Sequence, residues 1–594
     1  MTPTSGPPKR PLPVATALRR AFAQGYRLAT LKADLMAGAV VGVVAIPLSM
    51  ALAIAVDVPP QHGLYTAVVA GIVVAALGGS KHQVTGPTAA FVVVLAPIVG
   101  KHGLSGLLTA GAMAGVILVL FGLGRFGRLI SYIPHPVTTG FTAGIATVIA
   151  LLQLKDVLGL PIAKMPDGLL PKLAAMWSAR GGASARELVV ACLTLALLLV
   201  VPKITRRVPA PLVALVLVTV GVTLVHNLSP ELSFATIGSR FHATVHGVVV
   251  AGIPPVLPEP ALPWHGAPLS FATVRELVPA AFAIAMLGAI ESLLSAVIAD
   301  GMTGKKHDPD AELVALGVGN LIAPFFGGIA ATGALARTAT NIRAGAETPI
   351  AAIVHSLVVL LSIVALAPLV AYVPMASLAA LLLLVAWNMS EIRHVVRLLR
   401  VAPKSDIVVL CVCYFLTVAF DMVVAISVGV VLAALLFMRR MSELTHAGPL
   451  DDVDAADSAR DLPAGVGLYE INGPLFFGAA KNAMQELAII HDDRFTVLVI
   501  SLARCPTIDA TGLVALESAI GSLTRAKKSV IVGGPLPAPR TLWKRAKLEV
   551  QFPGTTLTEN LDEALALARE ISAGLPSHRP PLLSAIDPRE DGQP

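Results

Sequence analysis

Charged side chains are scarce in this chain. Asp, Glu, Lys and Arg make up 14% of its 594 residues, against about 25% in soluble domains. Hydrophobic residues make up 55%, with a mean hydropathy of +0.78, so lipid rather than water must solvate most of the chain. Cysteine is also sparse: Cys192, Cys411, Cys413 and Cys505 lack metal-ligand spacing and read as small buried thiols. No GxxxxGK[ST] phosphate loop occurs, which argues against ATP-driven pumping, and no HExxH or CxxC pattern marks a metal site. The first 33 residues contain no acid and no apolar signal core, only Lys9, Arg10, Arg19, Arg20, Arg27 and Lys32 as charges. Phe22 and Tyr26 are the only aromatics among them, so topology explains this charge better than nucleic-acid binding, and the basic tail reads as cytoplasmic.

What is present is a series of apolar runs. Spans of roughly 20 residues are read near 34–56, 62–79, 85–100, 104–123, 131–153, 186–202 and 210–228. A second set lies near 275–300, 311–328, 332–344, 346–369, 372–390, 405–420 and 422–439. Alternate connections are basic, whereas 229–274 carries Arg240 as its one Lys or Arg. The loop 155–187 breaks the charge rule with five cations. An even number of spans places both termini in the cytoplasm. Each set opens its third span with Thr-Gly-x-x-Ala, at Thr85, Gly86 and Ala89 and at Thr332, Gly333 and Ala336. Seven spans per half insert in opposite senses, the inverted repeat of secondary transporters.

Both Thr-Gly segments interrupt apolar runs. Thr85 and Thr332 can serve as N-caps, with Pro87 in a first helical turn. The half-helices would then start inside the membrane, with unpaired N–H groups from Thr88 and Ala89 and from Ala334, Leu335 and Ala336. Two opposed helix starts suit an anion, and Gly86 and Gly333 would allow it close to the backbone. Tight helix packing is the competing explanation. Arg337, one turn further, either adds a cationic field or pairs with Glu291 or a carbonyl. Glu291 is the lone ionisable residue of 277–299 and stands four residues before Ser295 on one helix face. A carboxyl in hydrocarbon is cheaper protonated than ionised, so Glu291 is a candidate proton carrier; a permanently protonated or paired packing residue is the alternative. Asp34, Asp300, Asp406 and Asp421 lie near span ends, where solvated or capping roles suffice.

After Arg440 the composition changes. An acidic linker at Asp451, Asp452 and Asp454 precedes strand signals at 466–471, 497–502 and 530–532, with a helix at 511–525, giving an α/β domain. The expected organisation is a tail over 1–33, a transmembrane domain over 34–440 with repeats near 34–228 and 275–440, a linker over 441–463, the α/β domain over 464–572, and a Pro-rich disordered tail over 573–594.

Several motifs carry a family resemblance: 46–51 (Ile-Pro-Leu-Ser-Met-Ala), 59–65 (Pro-Pro-Gln-His-Gly-Leu-Tyr), 86–90 (Gly-Pro-Thr-Ala-Ala), 300–304 (Asp-Gly-Met-Thr-Gly), Glu312-Leu313 with Gly317 and Asn320, and 325–328 (Phe-Phe-Gly-Gly). With them the chain resembles the sulfate permease (SulP) anion transporters that end in a STAS domain. The runs 321–341 and 385–390 look most like DauA-type C4-dicarboxylate carriers. The resemblance implies core and gate domains moving against each other in a homodimer, with substrate between the third and tenth helices. Carried onto this sequence, that site is Ser49, Thr88, Ala89, Glu291, Gly333, Ala334, Leu335 and Arg337, beside the Thr85 and Gly86 read above. Sodium-coupled bicarbonate relatives have an Asp where Glu291 stands and a hydroxyl where Leu335 stands. The STAS turn has Ala510 at the usual phosphorylatable Ser. The expected function is proton-coupled uptake of C4-dicarboxylates (succinate, fumarate, aspartate) across a bacterial inner membrane. A bicarbonate, sulfate or chloride carrier is the alternative, followed by an anion sensor acting through STAS and an uncoupled channel. Expected partners are the small anion with a proton, membrane lipid, a second copy and a cytoplasmic STAS partner. No cofactor, metal, nucleic acid or enzymatic activity is expected.

Overall fold

The computed structural model describes residues 14–574 except 131–133, 163–164, 167, 206–207, 246–247, 266–269, 421, 450–461, 463–464 and 477–494. Asp421, the acidic linker and the Pro-rich tail beyond 574 therefore lie outside the described residues. The chain divides into two compact units, Met1–Val431 and Leu432–Pro594.

A short helix α1 (Thr16–Ala23) precedes α2 (Leu28–Ala55), which starts six residues before the apolar run at 34. Then come α3 (Pro60–Leu77), strand β1 (Thr85–Gly86) and α4 (Val92–Leu123). Helices α5 (His135–Val157), α6 (Ala185–Ile204) and α7 (Ala210–Leu228) complete the first half. The second half runs α8 (Phe271–Thr303), α9 (Pro309–Ile322), β2 (Thr332–Gly333), α10 (Leu335–Arg343), α11 (Ile350–Val370), α12 (Met375–Ser390), α13 (Ile392–Val401), α14 (Lys404–Ala419) and α15 (Met422–Leu444). Ten of the described helices are long and apolar enough to cross a membrane. One of them, α4 with its 3₁₀ lead-in, is folded in two at Gly103, whose φ of 67° and ψ of −172° leave the helical region. With the shorter α9, α10 and α14 this makes the fourteen segments of a seven-plus-seven inverted repeat.

The packing repeats as the topology does. Helix α2 lies on α11 and α8 lies on α4, while α12 lies on α5. A Cβ at Gly115 would meet the backbone of Leu321, and one at Gly317 the backbone of Val119, so α4 and α9 approach backbone to backbone. This is the small-residue packing that membranes favour where no hydrophobic force joins helices.

Buried polar groups bind the interrupted segments together. Glu312, at the start of α9, accepts from the N–H groups of Gly79 and Ser80 at 2.9 and 3.0 Å. Asp34 accepts from Glu347 and Thr348 N–H at 2.8 and 3.1 Å, and from the Thr348 and Tyr26 hydroxyls. It is fully buried and accepts from the backbone just ahead of α11, which excludes the solvated alternative read from sequence and resembles the capping one. Burial and the neighbouring Asp34 push the Tyr26 phenol up to about 12. Cys192 and Cys411 correct the expectation of buried thiols: both are exposed on the apolar flanks of α6 and α14, while Cys413 and Cys505 are buried.

The second unit is built on a sheet of β3 (His446–Pro449), β4 (Val466–Asn472), β5 (Val497–Ser501), β6 (Ser529–Gly533) and β7 (Thr555–Leu557), in that order. β3 is antiparallel to β4 and the other pairs are parallel. Parallel pairing needs crossovers; α16 (Ala510–Arg525) supplies one, and α17 (Pro537–Ala546) and α18 (Leu561–Ser572) follow. Asp509 caps α16 by accepting from Gly512 N–H at 2.6 Å.

Candidate functional site

The two Thr-Gly segments meet. β1 and β2 form a two-residue antiparallel ladder, with Thr85 opposite Gly333 and Gly86 opposite Thr332. A free strand in hydrocarbon would leave its backbone unpaired, and each segment supplies the other's partner. Asn320 sets the register: its amide donates to Ala331 C=O at 2.8 Å, and its oxygen accepts from Ala331 N–H at 2.8 Å.

The ladder corrects the capping expectation. Thr85 and Thr332 are strand residues; the caps are Thr88, before a 3₁₀ turn over Ala89–Phe91 leading into α4, and Ala334, before α10. Pro87 therefore precedes the helix. Thr332 Oγ1 donates to Gly288 C=O at 3.0 Å. The buried hydroxyls of Thr85 and Thr88 have no partner among the described residues. Ala334 N–H is also spoken for, bonded to Val84 C=O at 2.8 Å. The remaining starts are thus Leu335 and Ala336 on α10, whose first-turn N–H groups precede any helical acceptor, and the Ala89 turn that follows the other strand of the ladder. Leu335 and Ala336 are exposed, Thr88 is half-buried, and Gly333 and Ala334 are buried.

Gly86 and Gly333 permit close approach, but the neighbour is protein. A Cβ on Gly86 would collide with Arg337 Nη1, and one on Gly333 with the Gln83 amide and Ser292 Cα. Arg337 is fully buried. Its Nη2 donates to Pro87 C=O, while Nε and Nη1 have no partner among the described residues. Of the roles open in the sequence, it pairs with a carbonyl and has no ion pair to Glu291 among the described residues. A buried guanidinium with two uncommitted donors leaves positive charge behind the ladder.

Helix α8 forms the third wall. Gly288 receives Thr332, Ser292 Oγ accepts from Gln83 Nε2 at 2.6 Å, and Ser295 Oγ donates to Thr338 Oγ1 at 3.3 Å. Glu291 shares the helix face of Gly288 and Ser295. It stays partly exposed, with no hydrogen bond or ion pair among the described residues. Ser295 is committed to α10 rather than to Glu291. Ser49 is fully buried on α2 with an unpartnered hydroxyl, its backbone C=O abutting Gly63 of α3; no bond links it to the ladder among the described residues.

Sequence reading missed Gln83 and Thr338. Thr338 Oγ1 accepts from Val84 N–H at 3.1 Å and so ties the lead-in of β1 to α10. Neither residue belongs to a recognisable motif, because each acts across the ladder. The described residues contain no group of acids, His and Cys fit to hold a metal.

Two half-helices starting at a ladder within an inverted repeat, followed by a separate α/β unit, define a multi-pass membrane transporter. The chain belongs to the sulfate permease family, whose model matches residues 31–413, and a STAS domain matches 461–564. Named relatives are transporters. "Putative sulfate transporter YvdB" of Bacillus subtilis (strain 168) is 40% identical, over 88% of this chain and 95% of its own. Bicarbonate transporter BicA of Picosynechococcus sp. is 30% identical, over 90% and 94%. The solved transmembrane domain of a cyanobacterial bicarbonate transporter BicA superposes with a TM-score of 0.57 at 27% identity, covering 69% of this chain and 98% of that one. The overall structure of SLC26A9 does so at 0.79 and 17% identity, covering 94% and 93%, which shows the shared fold.

Proposed function

We propose that this anion transporter is a secondary active, alternating-access carrier that imports C4-dicarboxylates such as succinate together with a proton. The observation that carries the reading is the Thr85–Gly333 ladder, which ties the starts of two half-helices together with Arg337 bonded to Pro87 C=O beside them. Backbone donors and a guanidinium fork match a carboxylate. The apolar Ala89, Ala334 and Leu335 favour a cargo with a carbon skeleton over an ion that needs donors all round. Glu291 carries the proton: neutral Glu291 offsets the anion's charge less than a cation would, but it spares the moving core a second negative charge. Ser49, Thr85 and Thr88 complete the substrate shell, Gly86 leaves the space that Arg337 fills, and Ser295 holds the Glu291 face to α10.

The relatives' names support a second reading, in which the cargo is bicarbonate or sulfate. On this reading the carrier works as a homodimer in a bacterial inner membrane with both termini cytoplasmic; the basic first 33 residues support the cytoplasmic side for the N-terminus. The test is uptake into proteoliposomes of labelled succinate, bicarbonate and sulfate under imposed proton or sodium gradients. Succinate uptake driven by an inward proton gradient supports the reading; uptake of only bicarbonate or sulfate, or indifference to the proton gradient, overturns it.

A further inference from the structure

Helix α13 is set off from its neighbours at both ends. Glu391 holds the left-handed conformation, φ 42° and ψ 40°, and breaks the chain away from α12. Pro403 closes the other end, because the residue before a proline, here Ala402, is driven to extended backbone. Its ten residues rise about 15 Å, about half the hydrocarbon thickness, so α13 does not span a bilayer.

The side chains of α13 sort by face. Val395 is buried in a cluster with Ala143 of α5 and Leu410 of α14, and His394 meets the His135 ring edge-on at 5.2 Å. Ile392 and Leu399, two turns apart, are exposed. Arg393, Arg397 and Arg400 recur at spacings of four and three, which makes one stripe on the side away from Val395. All three are exposed, and none has an ion pair or hydrogen bond among the described residues. Like charges at this spacing repel, so the stripe costs stability until an anion covers it. Exposed apolar side chains beside a cationic stripe mark a helix that lies in a membrane interface.

We infer that the arginine stripe of α13 binds the phosphate headgroup of an anionic phospholipid, which pins the α12–α14 connection against α5. Guanidinium forks match phosphate oxygens in pairs, and a zwitterionic headgroup would bring a cation of its own to the stripe. The preceding reading enters only for sidedness: twelve spans from a cytoplasmic N-terminus put α13 at the cytoplasmic leaflet, whose anionic lipid attracts basic segments.

Trp387, exposed on α12 one turn before Glu391, is the reporter. Full-length protein is reconstituted in mixtures of phosphatidylcholine and phosphatidylglycerol, with brominated chains on one lipid at a time to quench nearby tryptophan. Subtracting the signal of Trp387→Phe protein isolates this site. Phosphatidylglycerol should be favoured at least about fivefold, the contribution of one interfacial arginine. Arg393→Gln, Arg397→Gln and Arg400→Gln together should bring the ratio to about one. Lysine at the same three positions should keep most of the preference, which separates charge from packing and folding. Lys305→Gln with Lys306→Gln, in another basic connection, should leave it unchanged, and added salt should shrink it. Equal quenching by the two lipids, or a preference that survives the three glutamines, would overturn the inference. Abolition by millimolar inorganic phosphate would also overturn it, in favour of a soluble-anion site. So would a glutamine variant that melts lower in pure phosphatidylcholine while the native chain shows no lipid preference, in favour of an acidic protein segment over the stripe. No arm measures uptake, so failure of succinate transport would leave this result standing.

Discussion

Arg337 fills the space where a side chain on Gly86 would be. The glycine of one repeat thus sets the guanidinium of the other against Pro87 C=O, at the point where both half-helices begin. The two halves of the site cannot be altered separately.

Gly86→Ala should therefore act as an arginine variant. The added methyl pushes Arg337 off the ladder, and transport should fall at least tenfold while the protein still reconstitutes. Kinetics of uptake in vesicles, read beside a Gly38→Ala control in the α2–α11 contact, would check this; equal loss in both would mean a packing effect alone.

Arg337→Lys keeps the charge and loses the fork. A charge-assisted hydrogen bond is worth about 1.5–3 kcal/mol, and each 1.4 kcal/mol is about tenfold in affinity. KM should rise about tenfold or more with kcat largely kept. An unchanged KM would remove Arg337 from the binding site.

Glu291→Gln replaces an unpartnered carboxyl with a neutral isostere, so folding should survive. Uptake should continue downhill and lose its acceleration as external pH falls. Retained acceleration, measured as initial rate against pH on the two proteins, would take the proton off Glu291.

Asn320→Ala removes the bracket around Ala331. Two buried backbone groups lose partners, at about 1–3 kcal/mol each, in the segment that sets β2. The detergent-solubilised protein should melt several degrees lower, and Asn320→Leu should not restore it, because an aliphatic side chain fills the volume but neither donates to Ala331 C=O nor accepts from its N–H.

The bundle was largely legible in advance, because a bilayer demands long apolar runs and basic connections mark their ends. Most segments lie within a few residues of the apolar stretches, although α2 begins at Leu28 rather than 34 and α9 ends at Ile322 rather than 328. The site was legible in part. Repetition of Thr-Gly-x-x-Ala placed both half-helices, yet Thr85 and Thr332 looked like caps because Ser or Thr ahead of an apolar run usually is one. Ladder pairing takes up those backbones and moves the caps to Thr88 and Ala334. Gln83, Thr338 and the Asn320 bracket depend on which residues the ladder brings opposite each other, and no local pattern encodes that. In the second unit, alternating apolar residues marked β4, β5 and β6, whereas β3 and the short β7 carried too few residues to stand out.

On the proposed function, a small anion sits between the helix starts at Ala89 and Leu335. Crystals or vitrified particles prepared with bromosuccinate or selenate would locate it by its heavy atom. A peak is expected within hydrogen-bonding reach of the Leu335 and Ala336 N–H groups, near Thr88 and Ala89, and should disappear in Gly86→Ala. A peak elsewhere in the bundle, with this space empty at concentrations that support uptake, would contradict it.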